Sequence, residues 1–241
     1  MARQARIVVP GQTLHITHQG NMQQDVFNND QDHQRFIEGL VASRDQSGCS
    51  LHAYVLMPNH YHLLLTPPTG NALSEFMQSI GRRYVRYFNK EYQRSGTLWE
   101  GRYKSSLVDS EAYLLQCYRY IEDHPVRSNI VSAANQHQWS SYHHNALGET
   151  DPLITEHDNY TQIATTEDAR KNVYSSLFKT ALDSETTSLI TSSVEKGEVL
   201  GSDRFHQSIE SIVGLKTKRG SHGGDRKSDH YKKKKAAVMV D

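Results

Sequence analysis

Apolar residues in the N-terminal half recur at two spacings, every second position and every third or fourth position. Alternation typical of a half-buried strand runs through residues 13–19, and residues 51–57, 60–66 and 105–108 are predicted to form three further strands. Helical spacing lies between these segments, and it predicts three helices over residues 30–48, 73–90 and 110–123. The resulting order of strands and helices predicts an α+β fold, with an antiparallel sheet and helices mainly on one face.

Short polar segments define the ends of these elements. Only Pro58 and Asn59 separate the second and third strands, so these strands are predicted to form an antiparallel hairpin. Asn29 or Asp30 can cap the first helix, Asp109 or Ser110 can cap the third, and Pro125 stops the third.

The composition changes after Gly148. Residues 149–203 contain eleven acidic and four basic residues, and weak helical patterns continue to about residue 213. Residues 216–235 contain nine basic and two acidic residues. We therefore predict a catalytic domain over residues 1–148, a small acidic helical extension over 149–215, and a basic, disordered tail over 216–241 that could bind a polyanion.

The overall composition narrows the class of protein. Acidic and basic residues number 27 each, so the net charge of zero indicates no partner by itself. Two cysteines are too few for a disulfide framework and fit a reducing cytoplasm. No apolar run approaches the length of a membrane span, and the N-terminus lacks a signal-peptide pattern. We expect a cytoplasmic, nucleoid-associated protein that does not bind membranes.

Candidate chemistry begins with His60 and His62, at the start of the third predicted strand. Side chains two residues apart in a strand point to the same face, so both imidazoles project together. Two imidazoles on a rigid strand supply two of the three ligands that an open metal site needs. A surface strand with two partly exposed histidines would show the same pattern.

The third predicted helix offers the missing ligand. Tyr113, Tyr120 and His124 form one stripe of this helix, beside the apolar stripe of Leu114 and Ile121. His124 precedes proline, which disfavours helical geometry at that position. A divalent ion held by His60, His62 and His124 could polarise a phosphate while the phenol of Tyr120 attacks it and forms a phosphotyrosine. A half-buried structural tyrosine remains the alternative for Tyr120, and more so for Tyr113.

Five segments together resemble a known family. They are Ile16-Thr-His-Gln-Gly-Asn21, Leu56-Met-Pro-Asn-His-Tyr-His-Leu-Leu-Leu65, Trp99-Glu-Gly-Arg-Tyr-Lys104, Tyr118-Arg-Tyr-Ile-Glu-Asp-His-Pro-Val-Arg127 and Trp139-Ser-Ser-Tyr142. Over about residues 7–145 the chain is similar to the IS200-type tyrosine transposases, whose signature is two histidines around a bulky apolar residue, and more closely to the REP-associated tyrosine transposases.

The resemblance implies a ferredoxin-like or RRM-like core that cleaves and rejoins single-stranded DNA at hairpin-forming sequences. It implies Mg²⁺ or Mn²⁺ at the histidine pair and Tyr120 as nucleophile, with Tyr113 as the alternative. The family's third ligand, commonly Gln or Asn, corresponds here to His124, and a third imidazole favours Mn²⁺ over Mg²⁺. Tyr61 between the two histidines is expected to face the helices.

Single-stranded DNA binders combine a basic groove with aromatic side chains on which bases stack. The residues near the predicted site with this character are Arg82, Arg83, Arg86, Lys90, Trp99, Arg102, Tyr103 and Lys104. A solvated helix face and a packed aromatic loop are the structural alternatives for them. The tail could add contacts to phosphates that do not depend on base sequence.

Two other functions fit the same residues. An RRM-like module could bind nucleic-acid hairpins without chemistry, or a metal-bound water could hydrolyse DNA with Tyr120 only structural. A covalent protein–DNA adduct distinguishes the transposase from both. Whether the active protein is a monomer or a homodimer stays open.

Overall fold

A computed structural model describes residues 6–217 of the chain. In this part four strands form one antiparallel sheet in the order β2–β3–β1–β4. The strands are β1 (Leu14–Gln19), β2 (Ser50–Met57), β3 (His60–Thr66) and β4 (Lys104–Leu107). The predicted α+β class, antiparallel sheet and hairpin of β2 with β3 are confirmed.

Nine helices accompany the sheet within the described residues. They are α1 (Asp30–Ser47), α2 (Ala72–Glu91), α3 (Ser110–Glu122), α4 (His124–Arg127), α5 (Tyr142–Leu147), α6 (Asp158–Thr161), α7 (Glu167–Ser176), α8 (Ser184–Lys196) and α9 (Asp203–Val213). The predicted small C-terminal helical extension is present as α6 to α9. Apart from Lys216 and Thr217, the predicted basic tail lies outside the described residues.

Local sequence sets the ends of α1. The side chain of Asn29 accepts a hydrogen bond from the backbone N–H of Asp32, which satisfies a donor of the first turn. Gly48 follows the last residue with φ of 71°, a left-handed conformation that glycine adopts without steric cost. The helix therefore begins and ends where the sequence predicts.

Helices α1 and α2 cover one face of the sheet. Phe36 and Leu40 of α1 and Phe76 of α2 pack with Ile16 and Leu63 of the strands in one apolar core. Each such side chain contributes about 1.5–3 kcal/mol when fully buried. The two helices approach closely because Gly39 has no side chain, and a Cβ there would lie 2.6 Å from Ile80.

A second helical layer covers the opposite face, which differs from the expectation that helices lie mainly on one face. Leu114, Tyr118 and Ile121 of α3 pack against Val55 and Leu64. The reason is that β2 is buried along almost its whole length, so both of its faces require an apolar partner. Helices α5 to α8 extend this layer.

The C-terminal extension is fixed to the edge of the sheet. The backbone of Leu200 bonds to both sides of Val108, through Leu107 at 2.8 Å and Asp109 at 2.8 Å. The hydroxyl of Ser106 donates to the carbonyl of Glu198 at 2.6 Å. These bonds place α8 beside β4 and α3. None of the helices described combines the length and apolar character needed to span a bilayer.

Candidate active site

Three histidines meet on the face of the sheet that carries the second helical layer. His60 and His62 are alternate residues of β3, and their ring centroids lie 5.2 Å apart. Helix α3 ends at Glu122, and His124 begins the short helix α4, with Pro125 next to it. The Nε2 atoms of His60 and His124 are 3.1 Å apart. One nitrogen from each of the three histidines lies within 4.8 Å of the other two.

The histidine cluster has the chemistry of a metal site. Burial lowers the pKa of His60 to about 4, that of His124 to about 2, and that of His62 well below its ordinary value. All three imidazoles are therefore neutral near pH ~7, with lone pairs available. Two imidazole nitrogens that bind one ion at about 2.1 Å lie roughly 3.0–3.4 Å apart. The arrangement therefore fits a divalent cation.

Hydrogen bonds fix the orientation of each imidazole. His62 Nδ1 lies 2.9 Å from Nε2 of the buried His15 on β1, which leaves His62 Nε2 free. Arg127 Nη2 lies 3.2 Å from His124 Nδ1, and a guanidinium can only donate. His124 therefore carries its proton on Nε2 and donates it toward His60 Nε2. His60 in turn donates from Nδ1 to the side-chain oxygen of Asn59 at 2.7 Å.

Tyr120 lies against this cluster. Its ring centroid is 5.8 Å from that of His62 and 6.0 Å from that of His124. The guanidinium carbon of Arg127 is 4.3 Å from the centre of the Tyr120 ring, so a positive charge faces the aromatic system. The phenol oxygen is 3.0 Å from the hydroxyl of Thr191. Tyr113 is half-buried in the apolar layer of α3 and does not line the cleft described next.

A cleft of roughly 760 Å³ opens onto the histidines and Tyr120. One wall is the segment from Glu100 to Ser105, which includes the predicted DNA-binding residues Arg102, Tyr103 and Lys104. Another part of the lining comes from α8 and the segment after it, from Thr191 to Glu198. The basic and aromatic segment before β4 and the C-terminal extension thus both line the cleft.

The other predicted DNA-binding residues lie elsewhere. Arg82, Arg83 and Arg86 line a separate depression on the exposed side of α2, and the side chain of Lys90 is also exposed. Helix α2 covers the sheet face opposite the histidines, so this group does not reach the cleft. Trp99 is only 6 % exposed, and it stacks under His18, whose ring centroid is 4.7 Å away. His18 rather than Trp99 lines the cleft.

Four residues at this site escape sequence reasoning. His15 of β1 lies on the same face of the sheet as the metal-binding candidates of β3. This follows only once the pairing of β1 with β3 is known. Asn59 and Arg127 lie within recognisable motif segments but have no spacing that marks their contacts. Thr191 has no sequence signal at all, because 71 residues separate it from Tyr120.

Comparison with known proteins adds three findings. Residues 8–124 match the family model described as IS200-like transposase. A solved structure of a REP-associated tyrosine transposase bound to a REP hairpin is 18 % identical over 66 % of this chain and 93 % of its own, with a TM-score of 0.51. Comparison with curated proteins gives no match.

A second solved structure, of a protein from Deinococcus radiodurans described as a transposase, is 19 % identical. It covers 48 % of this chain and 95 % of its own, with a TM-score of 0.35. That score is too low to establish a common fold, whereas the REP-associated structure shares the fold.

Proposed function

We infer that the histidine cluster and Tyr120 are the catalytic centre of DNA transposition. The premise is that residues 8–124 belong to the IS200-like transposase family. Transposition of DNA is the activity of the family. We propose that this chain performs it by metal-dependent cleavage and rejoining of single-stranded DNA at hairpin-forming sequences, through a 5′-phosphotyrosine intermediate.

One observation carries this proposal. Three neutral imidazoles offer nitrogens within 4.8 Å of one another, directly beside a tyrosine at the floor of an open cleft. A module that only binds nucleic acid has no use for this donor set, which is costly to bury without a partner. A tyrosine next to it gives a nucleophile within reach of a bound phosphate.

His60, His62 and His124 would hold Mg²⁺ or Mn²⁺, and the ion would polarise a phosphate and offset charge on the oxygen that leaves. Three nitrogen donors favour Mn²⁺. Binding through Nε2 of both His60 and His124 requires His124 to give up its Nε2 proton. Its Nδ1 can take a proton only when Arg127 releases it, and the guanidinium is then free to face Tyr120 or the phosphate.

The covalent step that we propose is an in-line displacement at phosphorus. The Tyr120 oxygen loses its proton to water and forms a bond to the phosphorus, while the bond from phosphorus to the 3′ oxygen of the preceding nucleotide breaks. That oxygen takes up a proton and leaves as a 3′ hydroxyl. Rejoining is the reverse reaction with a different 3′ hydroxyl, which returns Tyr120 to its phenol form.

The DNA-binding residues divide into two groups in this proposal. Arg102, Tyr103 and Lys104 would hold the strand that is cut, because they form a wall of the cleft. The arginines of α2 and Lys90 would contact phosphates of DNA beyond the cleft, on the far side of the sheet. Trp99 would act indirectly, as the support for His18, which offers a face to a base. A hairpin partner fits the similar structure, which holds a REP hairpin.

The test is cleavage of hairpin-forming oligonucleotides, labelled at either end, by wild type, Tyr120→Phe and Tyr113→Phe, with Mn²⁺ or a chelator. We expect wild type with Mn²⁺ to retain the 3′-end label covalently and to release the 5′-end label as a shorter strand. Tyr113→Phe should behave like wild type, and Tyr120→Phe should do neither.

The other outcomes point to the alternative functions. Cleavage with no label on the protein indicates a nuclease that uses a metal-bound water. Binding without cleavage, with either metal, indicates a module that only binds DNA. Retention of label by Tyr120→Phe but not by Tyr113→Phe moves the nucleophile to Tyr113.

A further inference from the structure

The C-terminal extension reaches the proposed nucleophile through a single hydroxyl. Thr191 lies on α8, and its Oγ1 is 3.0 Å from the phenol oxygen of Tyr120. This contact joins the extension to a residue inside the family domain, which ends at residue 124 in the match. It is therefore a feature of the larger chain and not of the matched segment alone.

The direction of this hydrogen bond follows from a second one. Thr191 Oγ1 is also 2.8 Å from the backbone carbonyl of Thr187, and a carbonyl oxygen can only accept. The Thr191 hydroxyl therefore gives its single hydrogen to Thr187. In the contact with Tyr120 it must then accept, so the phenol O–H donates to Thr191.

The same hydroxyl can serve the ionised form of the nucleophile. When Tyr120 loses its proton, rotation about the Cβ–Oγ1 bond turns the Thr191 hydrogen from Thr187 to the phenolate. A hydrogen bond to an ionised acceptor is roughly twice as strong as one between neutral groups. The backbone carbonyl of Thr187 then loses one hydrogen bond, but it lies inside a helix, where a backbone N–H already donates to it. The exchange therefore favours the phenolate without any movement of the backbone.

The position of α8 is fixed well enough for this role. The backbone bonds of Leu200 to both sides of Val108 hold the segment that follows α8 against β4. Ser202 caps the next helix and also donates to the Asp109 carboxylate at 2.8 Å, at the start of α3. These bonds fix the segment that follows α8 to the start of α3, the helix that carries Tyr120. The hydroxyl of Thr191 is therefore held near the phenol of Tyr120.

We propose that Thr191 is a positioning residue for Tyr120: it accepts the phenol proton before reaction and donates to the phenolate during it, so the C-terminal extension completes the active site. This rests on the proposed function of Tyr120 as nucleophile. It assigns the extension a part in the chemistry, beyond its place as a wall of the cleft.

The test compares Thr191→Val, which keeps the shape and removes the hydroxyl, with Thr191→Ser, which keeps the hydroxyl. The matched control is Ser188→Val, an exposed position on the same helix. The readouts are the single-turnover rate of covalent adduct formation at saturating DNA and Mn²⁺, and the affinities for DNA and for Mn²⁺. Melting temperatures verify that each variant is folded.

We expect Thr191→Val to slow adduct formation by about 10- to 100-fold, as the loss of a hydrogen bond to a charged group does. Both affinities should stay as in wild type. Thr191→Ser should recover most of the rate, and Ser188→Val should match wild type.

Two results overturn the inference. An unchanged or faster rate in Thr191→Val, with adduct formation by wild type, would remove the role of Thr191 and leave the proposed function standing. No adduct in wild type would overturn the proposed function and this inference together. A second measurement does not need catalysis: the Tyr120 Cζ resonance of labelled protein should shift in Thr191→Val and not in Thr191→Ser, and an equal resonance in both would refute the hydrogen bond.

Discussion

At the scale of residues, the site depends on atoms that can only donate or only accept a hydrogen bond. Arg127 can only donate, which sets the proton of His124 on Nε2 and, through it, the proton of His60 on Nδ1. Thr187 offers a carbonyl that can only accept, which turns the proton of Tyr120 toward Thr191. Each of these two atoms therefore sets the proton positions along its own chain of hydrogen bonds.

The identity of the third ligand predicts the metal preference. In His124→Asn an amide oxygen replaces an imidazole nitrogen, and oxygen donors suit Mg²⁺ better than nitrogen donors do. We expect the variant to retain cleavage and to bind Mn²⁺ more weakly, with the ratio of Mg²⁺-supported to Mn²⁺-supported activity increased. Calorimetric titration with each metal and cleavage rates in each metal measure the change.

His62→Ala is the matched comparison, since it removes a ligand without a replacement and should abolish Mn²⁺ binding and cleavage. An unchanged metal ratio in His124→Asn, together with unchanged Mn²⁺ affinity, would show that His124 does not bind the ion.

At the scale of elements, the end of α3 is held by a buried carboxylate. Glu122 is fully buried, and its two oxygens accept hydrogen bonds from Ser141, Asn145 and Tyr174, each at 2.6 Å. These partners precede or lie on α5 and α7. One side chain therefore joins three helices of the second layer, two residues before His124.

Glu122→Ala should be among the more destabilising single substitutions in this chain. It leaves three buried donors without an acceptor and opens a cavity between the helices, so we expect a loss of about 3–5 kcal/mol in the free energy of unfolding. Urea unfolding of the variant and wild type measures it. Glu111→Ala, at the exposed start of the same helix, should change the stability by less than about 1 kcal/mol. A similar small loss for Glu122→Ala would show that other contacts hold this layer.

At the scale of the whole molecule, the two helical layers bury an unusual number of imidazoles. Burial lowers the pKa values of these groups to about 3 for His15, about 4 for His18, His52 and His60, about 2 for His124, and well below the ordinary value for His62. In the unfolded chain each returns to about 6.5. Below that pH the unfolded state binds protons that the native state does not.

The protein should therefore be sensitive to acid. Because the unfolded state binds more protons, stability rises with pH in this range and is lost as the pH falls from about 6.5 toward 4. Glu122 acts in the opposite sense, since burial raises its pKa to about 7 and its native form retains a proton that the unfolded chain releases. Burial also raises the pKa of Asp123, which acts in the same sense as Glu122. The six histidines outweigh these two carboxyl groups.

Calorimetric melting of the metal-free protein should show a melting temperature that falls steadily between about pH 7 and pH 5. A chelator keeps metal release from contributing to the change. A constant or rising melting temperature over that interval would mean that the buried imidazoles gain protons in the native state.

Sequence reasoning reached the elements and part of the site. The strands, the Asn29 cap and the end of α1 at Gly48 follow from local sequence, and the placement of His60 beside His62 follows from strand geometry alone. Contacts between distant segments do not follow from spacing. The pairing of Tyr120 with Thr191, the approach of His15 to His62, and the position of Arg82 and its neighbours away from the cleft depend on which faces of the sheet the helices cover.

The measurement that tests the central claim most directly is peptide mapping of the covalent adduct between wild type and a hairpin-forming oligonucleotide. Trypsin cleaves after Arg119 and Arg127, so residues 120–127 form one peptide with Tyr120 as its single tyrosine, while Tyr113 and Tyr118 fall in residues 105–119. After nuclease trimming, we predict the mass of a 5′-linked nucleotide on the peptide 120–127. The same mass on the peptide 105–119, or on neither while the DNA is cleaved, would contradict the assignment of Tyr120 as the nucleophile.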